Sequence, residues 1–333
     1  MRQTKSFIVG TSALAIAACV VLCAPAILVP IGLSAEGDAL DYRIPLLKWI
    51  LRHRAWPSWH WTFVDDLPAL GELLMLPFVA IRPELARLIS SAAFFACAGF
   101  GAAIGSEFVP GEKRREAFLF FFASLLGLHP LAVQASLVMV DNVAAAFSLA
   151  SLHFLLRGRQ SSSAILLACA LATRYTVWGA APGAALALWR LDPSPPRERA
   201  SRLLRFAAIA SLGALPFIAR NLFVNGNPIF PLLNTLFHGQ AVRSFDGWGR
   251  GKGPLALLLF PYDLLYTNTF AREIYNTFAS KGAFFTYHLG FLSYLQLSGT
   301  LLLACTFPER TRKTLAVAIR DRRVQACALF AAS

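Results

Sequence analysis

Residues 7–33 contain no charged side chain. A helix needs roughly 20 mostly apolar residues to cross the hydrocarbon layer of a bilayer, and this run exceeds that length. The basic residues Arg2 and Lys5 stand before it. Cleaved signal peptides have apolar cores of only about 7–15 residues, so a retained anchor is expected. Cys23 follows Leu22 rather than a small residue, which argues against a lipoprotein cleavage site.

Apolar runs recur at 86–104, 117–139, 142–156, 164–172, 177–189, 203–219 and 284–307. Hydrophobic residues make up 56% of the 333 and charged residues 15%, with a mean hydropathy of +0.56. Soluble domains carry about 25% charged residues, so an integral membrane protein is expected. The net charge of +13 does not point to nucleic acid, because the Lys and Arg residues lie in short clusters between apolar runs. Such clusters set membrane orientation. Cys19, Cys23, Cys97, Cys169, Cys305 and Cys327 all fall within or beside apolar segments, without CxxC spacing. They read as small core hydrophobes, neither disulfides nor a metal site.

With the start in the cytoplasm, every short basic loop lands on one side: Lys113 to Arg115, Arg157 with Arg159, the group from Arg190 to Arg205, and Arg310 to Lys313. That is the positive-inside pattern. The segments 164–172 and 177–189 are each short for a span of about 20 residues. They form either a half-depth hairpin or one tilted helix, and the hairpin keeps Arg310 to Lys313 inside. Two large loops then face outward, 34–85 and 220–283. The fold class expected is an all-α polytopic membrane protein, a bundle of about eight spanning or half-spanning helices with interfacial helices in the first outer loop. The bundle domain covers 1–313. Residues 314–333 read as the start of a further span, and the chain is expected to be a fragment.

The first outer loop contains "DYRIPLLKWILRHRAW", where Tyr42, Pro45, Leu46, Trp49 and Ile50 recur at helical spacing among basic residues. This is an amphipathic helix suited to the headgroup layer. Its acids include Glu36, Asp38, Asp41 and Glu72; Asp38 or Asp41 alternatively just caps the helix. Asp141 interrupts two apolar runs, and mid-bilayer it would cost about 2.5–3.5 kcal/mol. It belongs at an outer turn, where it would equally serve as an N-cap. Arg174 lies at the hairpin tip, and Arg220-Asn221 end a span before a turn containing Gly226 and Pro228. The Gly-rich stretch 246–254 reads as a flexible connection or a flap over a lipid phosphate. The scattered histidines read as structural.

"DALDYRIPLLK", Pro68 with Glu72, "VDNVAAAF", "ATRYT" and "RNLFVNGNPIFPLL" together resemble the bacterial GT-C glycosyltransferases, a group that includes the lipid A aminoarabinose transferases, the protein O-mannosyltransferases and the RgtA/B/C/D-type enzymes. The resemblance runs from the amino terminus to about residue 313. Arg43 stands where relatives often carry histidine and Arg174 where they often carry lysine.

The resemblance implies a multi-pass enzyme of the bacterial inner membrane, with its amino terminus cytoplasmic. It implies inverting transfer of a sugar from a polyprenyl-phosphate donor to a lipid, glycan or protein acceptor on the outer face, with membrane lipid around it and no nucleic acid. By match to the family, Asp38 is the general base and Asp41 its reserve. Arg174 and Arg220, with Asn221, bind the donor phosphate, while Asp141 and Glu72 orient the acceptor or hold the loop. No cofactor is required beyond the lipid-linked sugar, and a divalent cation is allowed but not demanded by any spacing. A polytopic lipid transporter or flippase, and a non-catalytic membrane remnant, stand as alternatives. A transporter would place ionisable residues near the midplane of its spans.

Overall fold

The computed structural model describes residues 39–57, 68–126, 134–230 and 321–331, with Phe237 and scattered positions between 17 and 31. Among these, every regular element is helical and no strand occurs. The expected base Asp38, the glycine-rich stretch 246–254 and the apolar run 284–307 lie outside the described residues.

One π-helical turn, Ala39–Arg43, leads into α1, Ile44–His53. Then follow α2, Leu70–Ile81, and a 3₁₀ turn, Pro83–Ala86, that runs directly into α3, Arg87–Glu107. Next come α4 (Arg114–Leu126), α5 (Asp141–Leu156), α6 (Gln160–Thr173), α7 (Ala180–Leu191) and α8 (Pro196–Asn225). The last, α9 (Arg322–Ala331), buries Ala326 and Phe330 in the same apolar cluster as Ala184, Ala187 and Leu188 of α7.

Among the described residues, two helices are long and apolar enough to cross a membrane: Pro83–Glu107 and Pro196–Asn225. On α8, Leu204, Leu212 and Phe223 are 72%, 63% and 87% exposed. An apolar stripe of that size, uncovered among the described residues, suits contact with hydrocarbon. Gly226, at φ 66°, closes α8 by donating its N–H to the Leu222 carbonyl, as glycine does at a left-handed helix end. The segments 164–172 and 177–189 belong to separate helices, joined through extended Arg174 and a 3₁₀ turn, Tyr175–Gly179.

Three sequence expectations change. The apolar run 117–139 is not one continuous helix, because residues 136–140 are turn. Irregular backbone is tolerated in a buried setting only where its polar groups find partners, and here α3 supplies them. Ser91 donates to the Ala135 carbonyl at 2.8 Å, Ser90 to that of Met139 at 2.7 Å, and Cys97 to that of Asn142 at 3.3 Å. Second, α1 is rotated from the expected face: Arg43, Ile44, Leu46 and Leu47 are buried, while Trp49 and Ile50 are only partly so. Third, Cys19 is exposed, unlike buried Cys97.

The helix ends sort into two groups. At one end, Glu107 of α3 meets Arg157 at 2.8 Å and Arg114 at 3.9 Å. At the other lie the amino-terminal ends of α3 and α5 and the carboxy-terminal end of α6. The helices α5 and α6 run antiparallel between these ends, with Ser151 donating to the Ser163 carbonyl at 2.9 Å.

Candidate functional site

Glu72 sits in the first turn of α2, Asp141 at the first residue of α5, and Arg174 immediately after α6. The residue preceding each one explains how they meet. A Cβ on Gly71 would stand 2.8 Å from Val140 Cβ and 2.9 Å from Thr173 Cγ2. Only a residue without a side chain allows that approach. With Gly71, Val140 and Thr173 in one layer, Glu72, Asp141 and Arg174 form the next.

Arg174 Nη2 lies 2.8 Å from Asp141 Oδ1, with the two side chains 26% and 32% exposed. Asp141 therefore does not act as an N-cap: Val140 holds that position and no side chain caps the helix. The carboxylate at a helix amino terminus also gains from the local dipole.

The fourth member is Arg43. Only 1% exposed, it donates from Nη1 to the Val138 carbonyl at 2.8 Å and from Nη2 to Tyr42 Oη at 2.8 Å. Its Nε lies 3.6 Å from Glu72 Oε1. Burial pushes the Glu72 carboxyl above the usual carboxylate range, against the opposing pull of Arg43 and Arg174. Glu72 Oε2 is buried and has no hydrogen-bond partner among the described residues.

Of the residues singled out in the sequence, Glu72, Asp141 and Arg174 are brought together. Arg220 reaches the segment after α1 at a second place, near the carboxy-terminal end of α8. It donates to the Pro57 carbonyl at 3.4 Å and lies over the Trp56 ring at 5.9 Å. Asn221, beside it, is buried. Asp41 is exposed within the turn preceding α1, and Arg43 holds the N-cap position there, so Asp41 does not cap that helix. Arg43 and Gly71 were not expected at the site. A signal for Arg43 was present, since it shares a helical stripe with the buried Leu46 and Leu47 at positions i+3 and i+4. Among the described residues, no group of three or more His, Cys, Asp or Glu is arranged to hold a metal.

Two partly exposed groups of opposite sign thus lie beside a buried carboxyl and a fixed buried guanidinium. The arrangement can exchange an anion at Arg174 and a hydrogen-bonding hydroxyl at Asp141. The chain matches no protein-family model, no curated protein and no solved structure.

Proposed function

We propose that the chain is a multi-pass glycosyltransferase of the bacterial inner membrane, amino terminus in the cytoplasm, that moves a sugar from a polyprenyl-phosphate donor to an acceptor hydroxyl on the outer face. The observation that carries this reading is the meeting of Glu72, Asp141 and Arg174, drawn from the first outer loop, an outer turn and a hairpin tip. Helix bundles of purely structural purpose have little reason to gather carboxylates and guanidiniums at one end of greasy helices, where each charge is costly to bury. The likeness to GT-C enzymes supplies the reaction.

In that reaction the acceptor oxygen attacks the anomeric carbon as the bond to the donor phosphate oxygen breaks. The acceptor's proton passes to a carboxylate, for which Asp38 is assigned and Asp41 held in reserve; general-base help of this kind is worth about 10²–10⁴-fold. The leaving polyprenyl phosphate carries the electron pair away and is met by Arg174, whose planar fork suits phosphate. Asp141 holds Arg174 in place before the donor arrives and orients the acceptor afterwards. Glu72 and Arg43 set the charge behind that pair. Arg220, with Asn221, steadies the outer loop near Trp56, at a place apart from Arg174.

The burial of Glu72 favours a second reading, a lipid flippase in which that carboxyl serves as an ionisable carrier group. Transfer assays separate the two. Full-length protein in nanodiscs, given a polyprenyl-phosphate sugar and a lipid or glycan acceptor, releases polyprenyl phosphate, and Asp38→Asn abolishes release without loss of folded protein. Bilayer translocation of the donor without any release supports the flippase, and undiminished release by Asp38→Asn removes Asp38 as base.

A further inference from the structure

The four charges of the site balance in number, but they differ in freedom. Arg43 is locked: it is 1% exposed and bonded to the Val138 carbonyl and to Tyr42. Arg174 is 26% exposed on its side chain, and its Nε has no hydrogen-bond partner among the described residues. Glu72 is 7% exposed, with Oε1 3.6 Å from Arg43 Nε and Oε2 buried without a hydrogen bond among the described residues. An anion arriving from outside therefore meets Arg174 first. When it draws Arg174 away from Asp141, three negative charges face two positive ones, and Arg43 cannot leave its carbonyl to compensate. A buried carboxylate in that position neutralises itself by binding a proton.

We propose that Glu72 takes up one proton from water when a phosphodiester anion displaces Asp141 from Arg174, so that anion loading at this site is proton-coupled. The charged groups facing Glu72 are Arg43 before α1, Asp141 at the start of α5, and Arg174 at the end of α6. Arg82 and Glu84, just past the far end of α2, are bonded to each other at 3.0 Å. Burial already biases Glu72 toward holding a proton. The proposal rests on the reading that Arg174 takes the donor phosphate, and adds to it a regulation by pH: binding tightens as pH falls, by up to about tenfold per pH unit for one proton.

The test is isothermal calorimetry on the full chain in nanodiscs, titrated with a farnesyl methyl phosphodiester, whose single charge is constant across the neutral range. Repeating the titration in buffers of different ionisation enthalpy gives the protons exchanged per ligand bound. The expected result is net uptake approaching one proton for the wild type and none for Glu72→Gln, with Glu72→Gln still binding the ligand. Binding without proton uptake by the wild type overturns the proposal while leaving Arg174 as the phosphate group. Equal uptake by wild type and Glu72→Gln also overturns it. No binding by the wild type, or binding unchanged in Arg174→Ala, overturns the phosphate reading and the proposal with it.

Discussion

Gly71 of α2 lies so close to Val140 that a single added carbon would stand 2.8 Å from the valine's Cβ and Cγ1. This contact sets Glu72 beside Asp141, and the valine's branched side chain has little rotamer freedom with which to yield. Gly71→Ala is therefore expected to lower stability by about 1–3 kcal/mol, the usual cost of overpacking. Val140→Ala in the same chain should recover part of the loss, as read by thermal unfolding in detergent. If Gly71→Ala leaves the melting temperature unchanged, the layer of Gly71, Val140 and Thr173 does not set the position of Glu72.

A harsher case is Gly213 of α8. Its added Cβ would run into the Ala168 carbonyl of α6. Backbone cannot swing aside as a side chain can, so α8 must move off α6, losing the small-residue contact that lets membrane helices approach closely. Gly213→Ala should destabilise more than Gly71→Ala, and the comparison of their melting temperatures checks it. The reverse order would mean that α6 and α8 are not packed through this glycine.

Asp192, at the end of α7, supplies a pH dependence whose sign can be worked out. The Ser194 side chain and N–H and the Arg202 guanidinium, 3.2 Å away, hold its carboxyl below the ordinary value of 3.8 in spite of burial. A group whose folded value is depressed contributes stability above its unfolded value and loses it as pH falls through the folded one. Melting temperature should thus drop on acidification below the ordinary aspartate range, and Asp192→Asn should flatten that limb. An acid limb equally steep in Asp192→Asn would place its cause in other carboxylates.

Orientation is checked by accessibility. In a background lacking the native cysteines, Trp56→Cys should react with an impermeant maleimide added to intact cells, and Arg159→Cys only after permeabilisation. Trp56 touches Arg220 at one end of the helices, whereas Arg159 stands between α5 and α6 at the other. The opposite labelling pattern would invert the topology and put Glu72, Asp141 and Arg174 in the cytoplasm.

What the sequence made legible, and what it did not, divides along physical lines. Charges interrupting apolar runs are expensive in a membrane, so Asp141, Arg174 and Glu72 stood out one by one. Alternation of the runs led only to the expectation that they lie toward one membrane face; the pairing of Asp141 with Arg174 at 2.8 Å, and the influence of both on Glu72, come from the structure. Arg43 did not stand out as buried, because the rule that charges face outward has no term for a guanidinium that donates to a backbone carbonyl, here that of Val138. The turn at 136–140 was hidden inside an apolar stretch for a similar reason: its partners, Ser90 and Ser91, are remote in sequence. Gly71 carried no signal at all, since a glycine that permits a close approach differs in no local way from one that does not. Eight apolar segments were legible by composition, and among the described residues two of the helices reach spanning length.

The most direct measurement is a charge swap at the site. If Asp141 and Arg174 were only a clasp between α5 and α6, exchanging them as Asp141→Arg with Arg174→Asp would restore the ion pair and everything it does. The expected outcome differs: each single variant loses stability, the swap recovers much of it, and sugar transfer from a polyprenyl-phosphate donor stays abolished because the guanidinium no longer stands at the end of α6 to meet the phosphate. Recovery of transfer together with stability in the swapped protein would contradict the central claim.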